Sequence, residues 1–260
     1  MPSLKKYNRE WNELAALDAL WAILSNPQHK HGRWNLKEFF ATGEADIAQL
    51  MQTAETLAHP QQRENALDFG CGVGRLTRAM ARHFSVCHGV DISERMIAKA
   101  VELNRDEPRC RFLLNVSDRL PMFADNQFDL VYAYLVLQHL SSRALIVAYI
   151  AEFVRVLRPG GLLAFQLPSY IPPRHRPRLR SKLYTVLRKF GVRSDFLFTR
   201  MNLYPGRLHF IPEPDVLEQL TKLGARVLHV RADTPLEALV QSKTYFATND
   251  RSERTRASRP

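Results

Sequence analysis

Residues 66–77 read ALDFGCGVGRLT, and no other stretch restricts the fold of this chain as tightly. The first four residues, ending at Phe69, suit a short buried strand. Gly70, Gly72 and Gly74 follow at every second position. That spacing makes a tight turn whose backbone, free of Cβ atoms, can come close to a ligand. From Arg75 the pattern turns helical, and the first N–H groups of a helix have no partner inside it. Strand, glycine turn and helix start in this order belong to an open α/β sheet, where ligands sit beyond the carboxyl ends of the strands.

The same rhythm continues along the chain. Strands are expected at 86–90, 111–114, 128–136 and 162–167. Helices are expected at 75–83, at 93–104 with Ser93 as N-cap, and at 141–157, closed by Pro159-Gly160-Gly161. This alternation predicts a parallel sheet covered by helices on both faces. Beyond residue 210 a helix at 214–223 precedes strands at 225–230 and 243–248, joined without a full helix, which fits an antiparallel final strand. Upstream, Trp11, Leu14, Leu17, Leu20, Trp21 and Leu24 mark one helical face, ended by Asn26-Pro27. A second helix is expected from about Asn35, and a third from about Ala45 after Gly43. Three units follow: an N-terminal helical segment over 1–62, the α/β domain over 63–249, and a polar, disordered tail over 250–260.

Composition excludes several classes. At 260 residues, 45% hydrophobic and 24% charged, the chain is globular rather than fibrous or wholly disordered. Its three cysteines, Cys71, Cys87 and Cys110, make neither a disulfide framework nor a metal knuckle, and suggest a reducing, cytoplasmic setting. The first residues hold no apolar run of signal-peptide or membrane-span length. Charge is concentrated: residues 171–210 carry ten Lys and Arg against one acid, Asp195, and so +9 of the chain's +11. An anionic partner would meet that segment first.

The glycine turn discriminates among ligands. Counted from Gly70, the dinucleotide pattern GxGxxG requires glycine where Arg75 stands; counted from Gly72, it falls on Thr77. No Gly-Lys-Ser/Thr follows, so a P-loop is excluded. Asp68 at the strand end disfavours a pyrophosphate and suits a ligand with an ammonium group. Asp91 stands 21 residues after Gly70, at the end of the second strand, where a carboxylate can accept both hydroxyls of a ribose.

Four segments in order, ALDFGCGVGRLT, GVDIS, NVSDRLPMFADNQFDLVYAYLVLQHL and RVLRPGGLLAFQLP, resemble the class I S-adenosylmethionine-dependent methyltransferases, in particular the broad small-molecule branch (type 11-like). The resemblance is strong over 66–168 and weaker over 211–248. It implies a Rossmann-like, doubly wound, seven-stranded sheet with an antiparallel last strand, and S-adenosyl-L-methionine as cofactor. It further implies that Asp68 and Gly70 hold the methionine end, that Gly72 and Gly74 shape the turn, and that Asp91 takes the ribose. Ile92 would pack on the adenine and Asp118 would accept from its amino group. Arg75 would reach the cofactor carboxylate, unless it is a solvated helix arginine, and Cys71 is a buried turn residue. Tyr134, Gln138 and His139, at the rim after the fourth strand, are the candidates to line the methyl channel, with His139 either a base or a packing residue. The N-terminal helices resemble the leading segment that folds across the cofactor in related methyltransferases, with Trp34, Phe39, Phe40 and Thr42 either wall residues or ordinary packing against the sheet.

The absence of [N/D]PP[Y/F] and of a Pro-Cys or Thr-Cys pair weakens two nucleic-acid routes. The acceptor expected is a small or lipid-like metabolite, an anionic one included. RNA or protein methylation guided by the basic segment, or a silent cofactor-binding partner, stands as the alternative. The segment 171–210 is expected to be a basic lid over the acceptor pocket, with Arg178, Arg180, Arg188 and Lys189 recognising an anionic acceptor. Its apolar stripe of Leu183, Val186, Leu187 and Phe190 also suits plain packing, or contact with a membrane surface or nucleic acid.

Overall fold

The computed structural model describes residues 2–172, 178–204, 208–234 and 240–249. The proposed tail lies outside these residues. Seven strands form one sheet in the order β3-β2-β1-β4-β5-β7-β6. They are β1 (Asn65–Phe69), β2 (Val86–Asp91), β3 (Cys110–Leu114), β4 (Phe128–Ala133), β5 (Leu157–Tyr170), β6 (Ala225–Ala232) and β7 (Gln241–Asn249). The first five pair in parallel, while β7 runs antiparallel to both β5 and β6. The sheet is therefore doubly wound with its last strand reversed, as expected. The chain order changes direction at β1, between β2 and β4, and in such sheets this switch point opens a crevice for ligands.

Every residue of β4 is buried, as a central strand covered on both faces requires. One face of the sheet packs on α5 (Arg143–Val156) and α8 (Glu213–Lys222), through residues such as Phe128, Phe153, Phe165 and Leu220. The other face packs on α2 (Leu36–Thr56) and α3 (Arg75–Met80), through Ile47, Leu50, Met80 and Leu130. Between β2 and β3 lies α4 (Glu94–Leu103), capped by the Ser93 hydroxyl, which accepts from the Met96 amide.

Three local expectations are corrected. Gly43 does not separate two helices: α2 runs unbroken through it, started by the Asn35 side chain, which accepts from the Lys37 and Glu38 amides. Glycine is present there because a Cβ would lie 2.5 Å from the Arg75 carbonyl oxygen, so it permits α2 to cross α3 closely. Pro159-Gly160-Gly161 does not stop a helix. The chain passes from α5 directly into β5, and the glycines occupy a stretch where the β5–β7 register shifts. Finally, β4 ends at Ala133 rather than continuing to Val136, because Leu135 adopts φ 60° and turns the chain out of the sheet.

The leading helix α1 (Pro2–Ile23) bends at Asp18, whose φ of −166° and ψ of 88° interrupt the helical path. The Asp18 carboxylate accepts from the Trp21 amide and so caps the second half. The segment after β5 forms α6 (Arg178–Lys189) and α7 (Ser194–Thr199). These share a small core of Tyr184, Leu197 and Leu203. They dock on α1, where Phe198 meets Trp21 edge-on at 5.2 Å.

Candidate active site

At the switch point a cavity of about 280 Å³ opens beyond the ends of β1, β2 and β4. Its floor is the glycine turn. Gly70, Gly72 and Gly74 all have positive φ, at 75°, 54° and 85°, a conformation available to glycine at little cost. The turn is fixed by the amides of Gly70 and Cys71, which donate to the Val90 carbonyl at 2.8 and 3.0 Å.

Asp91 lies at the wall with both carboxylate oxygens oriented by the backbone: Oδ2 accepts from the Gly72 amide at 3.0 Å and Oδ1 from the Ser93 amide at 2.9 Å. Burial pushes this carboxyl above its usual range, and the two amides act in the opposite direction. Each oxygen retains acceptor capacity for a hydroxyl. Ile92 lies beside it on the same wall.

Of the other residues singled out from sequence, Gly70, Gly72, Arg75, Tyr134, Gln138 and His139 line this cavity. Gln138 is 6% exposed, and its side-chain oxygen is buried without a hydrogen-bond partner among the described residues. Tyr134 stacks on Tyr132 at 5.8 Å, and burial raises its hydroxyl pKa. The His139 ring meets Trp11 edge-on at 6.0 Å. Arg75 is buried and paired with Asp46 at 2.5 Å and with the Thr42 hydroxyl at 3.1 Å, so it is not a solvated arginine. Its Nε has no partner among the described residues.

Asp68, Gly74 and Asp118 lie off the cavity wall. Asp68 is 1% exposed beneath the turn and accepts from the Thr77 hydroxyl at 2.6 Å. Burial pushes its carboxyl up to about 6. A Cβ at Gly74 would meet the Asn104 amide and the Phe112 ring, so that glycine serves the packing behind the turn. Asp118 is half-buried in the loop after β3, where Asn115 and Tyr149 form the wall instead. The Tyr149 hydroxyl is held by the Ser117 carbonyl at 2.5 Å. Phe39, Trp34 and Phe40 pack in and against an apolar cluster with Val73 and Met96 rather than lining the cavity. Burial keeps the Cys71 thiol protonated, which removes it as a nucleophile.

The leading segment does cover the cavity, as its roof, but with other residues than Trp34, Phe39, Phe40 and Thr42. Leu4, Tyr7 and Trp11 of α1 line the cavity, as do Ala22 to Ser25 at its end. Two asparagines one turn apart fasten α1 here. Asn8 donates to the Ile92 carbonyl at 2.6 Å, and the Asn12 carbonyl accepts from the Ser93 hydroxyl at 2.7 Å. The signal that could have found this is that amide pair, one turn apart and set among the apolar positions Leu4, Trp11 and Ala15. No described residue of 171–210 lines the cavity; the segment reaches the site through the His209 amide, which donates to the Gln138 carbonyl at 2.8 Å.

Residues 67–165 match the family model of a methyltransferase domain. That stretch, from β1 to β5, is similar to methyltransferase domains. Over 95% of this chain and 99% of the other, the fold matches magnesium protoporphyrin IX methyltransferase from Synechocystis, solved with bound SAH, with a TM-score of 0.59 at 19% identity. At that identity the likeness concerns the fold. Among curated relatives, the 2-methyl-6-phytyl-1,4-hydroquinone methyltransferase of Synechocystis is 26% identical over 155 residues, 59% of this chain and 47% of that protein. The demethylmenaquinone methyltransferase of Tropheryma whipplei is 34% identical over 125 residues, 45% of this chain and 48% of that one. The match thus spans about half the length of either relative. The site suits S-adenosylmethionine, the cofactor that the sequence resemblance implies: a cradle without Cβ atoms, a carboxylate with two oriented oxygens, and a guanidinium N–H unpartnered among the described residues. Among the described residues no helix is long and apolar enough to cross a membrane, and no cluster of three or more His, Cys, Asp or Glu could hold a metal ion.

Proposed function

We propose that this chain is an S-adenosylmethionine-dependent methyltransferase that methylates a small, largely apolar acceptor. The observation carrying this reading is a single cavity that joins the Gly72–Asp91 cradle to an aromatic and aliphatic wall of Leu4, Tyr7, Trp11, Leu140 and Leu145. The charged wall residues, among those described, are Arg75 and Asp91; Arg75 is paired with Asp46, and Asp91 is bound by two amides. Such a wall favours a neutral ring or chain over the anionic acceptor that the charge of the chain suggested. Two relatives named for quinone-type substrates support it.

In this reading Asp91 takes the ribose hydroxyls, Ile92 and Tyr149 flank the adenine, and the Arg75 Nε–H meets the cofactor carboxylate. When bound, S-adenosylmethionine supplies an activated methyl group on a sulfonium. The task left to the protein is alignment and exclusion of water, which can contribute on the order of 7–11 kcal/mol. Leu135, held at φ 60°, directs Tyr134 and the Leu137–His139 turn toward the cavity, and α1 covers it. In this reading the Gln138 side-chain oxygen, which has no partner among the described residues, would accept from an acceptor hydroxyl, and His139 would take the proton of a phenolic acceptor.

The test is methyl transfer from labelled S-adenosylmethionine into a lipid extract and an aqueous extract, run in parallel. Label in an organic-phase product of quinol or phenol type is the expected result. Label confined to water-soluble carboxylates, RNA or protein would replace the reading.

A further inference from the structure

The basic insertion turns an apolar face to solvent. Toward the body α6 presents Tyr184, Leu187 and Arg188. Tyr184 is buried, Leu187 packs on its cluster, and Arg188 pairs with Glu13 of α1 at 2.8 Å. On the outer side Leu183 and Val186 are each 46% exposed, and Phe190 is 82% exposed. Spacings of three and four residues put these side chains in one stripe. Lys182 and Lys189, both exposed, flank it. Arg193 and Arg200, also exposed, follow in the same insertion. Among the described residues of the insertion the acid is Asp195, and it is occupied by Arg193 at 2.8 Å.

We infer that this face docks on an anionic lipid surface, Leu183, Val186 and Phe190 entering the headgroup–acyl boundary while Lys182 and Lys189 meet lipid phosphates. Two features carry the choice of partner. The charge is complementary to an anionic bilayer, since nearly all of the chain's excess positive charge lies in this segment. The second is the pattern of an interfacial helix, with an apolar stripe beside lysines on a helix of low overall hydrophobicity. An RNA-binding face would use the same cations, but nothing in phosphate recognition calls for aliphatic Leu183 and Val186 in line with Phe190. Arg188 takes no part, because Glu13 holds it inward. The side chains of Arg178 and Arg180 lie outside the described residues. The inference does not depend on the acceptor, because docking is read without turnover.

The experiment is flotation of the full-length protein with large vesicles, either of phosphatidylcholine alone or with about one-third phosphatidylglycerol. The protein should float with the anionic vesicles and not with the neutral ones. A double variant, Lys182→Gln with Lys189→Gln, should lower the partition coefficient at least about tenfold, since each lysine near an anionic surface is worth roughly a factor of five. The triple variant Leu183→Ser, Val186→Ser, Phe190→Ser should lower it comparably. Phe190→Ser alone, at the most exposed position, gives a smaller loss and serves if the triple variant does not fold. Failure of the unmodified protein to float with anionic vesicles overturns the inference. So does vesicle binding that is unaffected by the serine changes. Loss of polyuridylate binding in the lysine variant, with vesicle binding intact, would assign the face to nucleic acid instead.

Discussion

The Gly72 amide donates to Asp91 Oδ2 at 3.0 Å, so the turn after β1 is tied to the acid that ends β2. The other oxygen, Oδ1, is held by the Ser93 amide at the start of α4. The acid is thereby oriented before any ligand arrives, and both oxygens are required, because each faces a backbone donor. Asp91→Asn would set an NH2 group against one of those donors. We expect S-adenosylmethionine and S-adenosylhomocysteine affinity to fall together by about 1.5–3 kcal/mol, the usual loss for a charged hydrogen bond. Calorimetry on a folded Asp91→Asn protein with unchanged affinity would remove Asp91 from the ribose site.

Gly72 faces α1 as well as the cavity. A Cβ there would lie 2.5 Å from Ile23 Cδ1, and the residue's φ of 54° strains any L side chain. Gly72→Ala should therefore lower both stability and cofactor affinity. Adding Ile23→Ala removes the steric partner but not the backbone strain or the loss of ligand space. The double variant should recover part of the melting temperature and none of the affinity. Recovery of both would mean that the clash with Ile23, and not the ligand, explains glycine at this position.

What could be read from the sequence follows the range of each signal. The glycine turn, Asp91 and the reversed β7 are encoded within a few residues of themselves, and the structure has the turn and Asp91 at one cavity beside Ile92. Gly43 and Gly160 look the same locally as helix terminators. Gly43 is required by Arg75, 32 positions away, and Gly160 by a φ of 76° and by Gln61, which a Cβ would meet at 2.5 Å; neither neighbour is visible in the local pattern. The roof is the extreme case: Asn8 reaches Ile92 across 84 positions, and no periodicity within α1 reports such a contact. The +9 charge pointed to the acceptor, yet no described residue of 171–210 lines the cavity, and the described part of α6 docks on α1 through Glu13.

Gly43 supplies a stability test in which two effects oppose. Replacing glycine by alanine in mid-helix ordinarily stabilises by about 1 kcal/mol. Here the new Cβ would stand 2.5 Å from the Arg75 carbonyl oxygen and 2.8 Å from its Cγ, and a backbone atom cannot move aside cheaply. Overpacking of this kind costs typically 1–3 kcal/mol. Gly43→Ala should therefore be net destabilising in urea unfolding, and it should also weaken cofactor binding, because α2 holds Arg75 through Thr42 and Asp46. A stabilised variant would show that α2 is free to shift away from α3.

Asp68 predicts a pH dependence. Burial raises its carboxyl from 3.8 to about 6, so the folded protein holds a proton that the unfolded chain releases between those values. The favourable contribution is complete below pH 3.8 and is lost as pH rises through 6, a difference of about 3 kcal/mol at most. Asp68→Asn keeps an oxygen to accept from Thr77 but cannot ionise. Relative to the parent protein it should gain stability between pH 5 and pH 7.5, and show little difference near pH 4. Denaturant unfolding at those pH values decides; an asparagine variant less stable at every pH would mean that the carboxylate is needed in its charged form.

Glu13 binds α1 to the insertion through two donors: the Tyr184 hydroxyl at 2.8 Å to one oxygen and Arg188 Nη2 at 2.8 Å to the other. Burial, and then Glu13, raise the Tyr184 hydroxyl pKa, so it stays a donor throughout the working range. The ion pair is partly exposed and by itself is worth about 0–1 kcal/mol. The hydroxyl is different, since Tyr184 is buried, and stripping its acceptor leaves a desolvated donor, which costs about 1–3 kcal/mol. Glu13→Ala should therefore loosen the insertion more than Arg188→Met does. Hydrogen exchange should show this as faster exchange in α6 and α7, with β1 and β4 unchanged. Equal effects of the two substitutions would put the attachment on charge rather than on the buried hydroxyl. No change in either would leave the Trp21–Phe198 contact as the anchor that holds the insertion on α1.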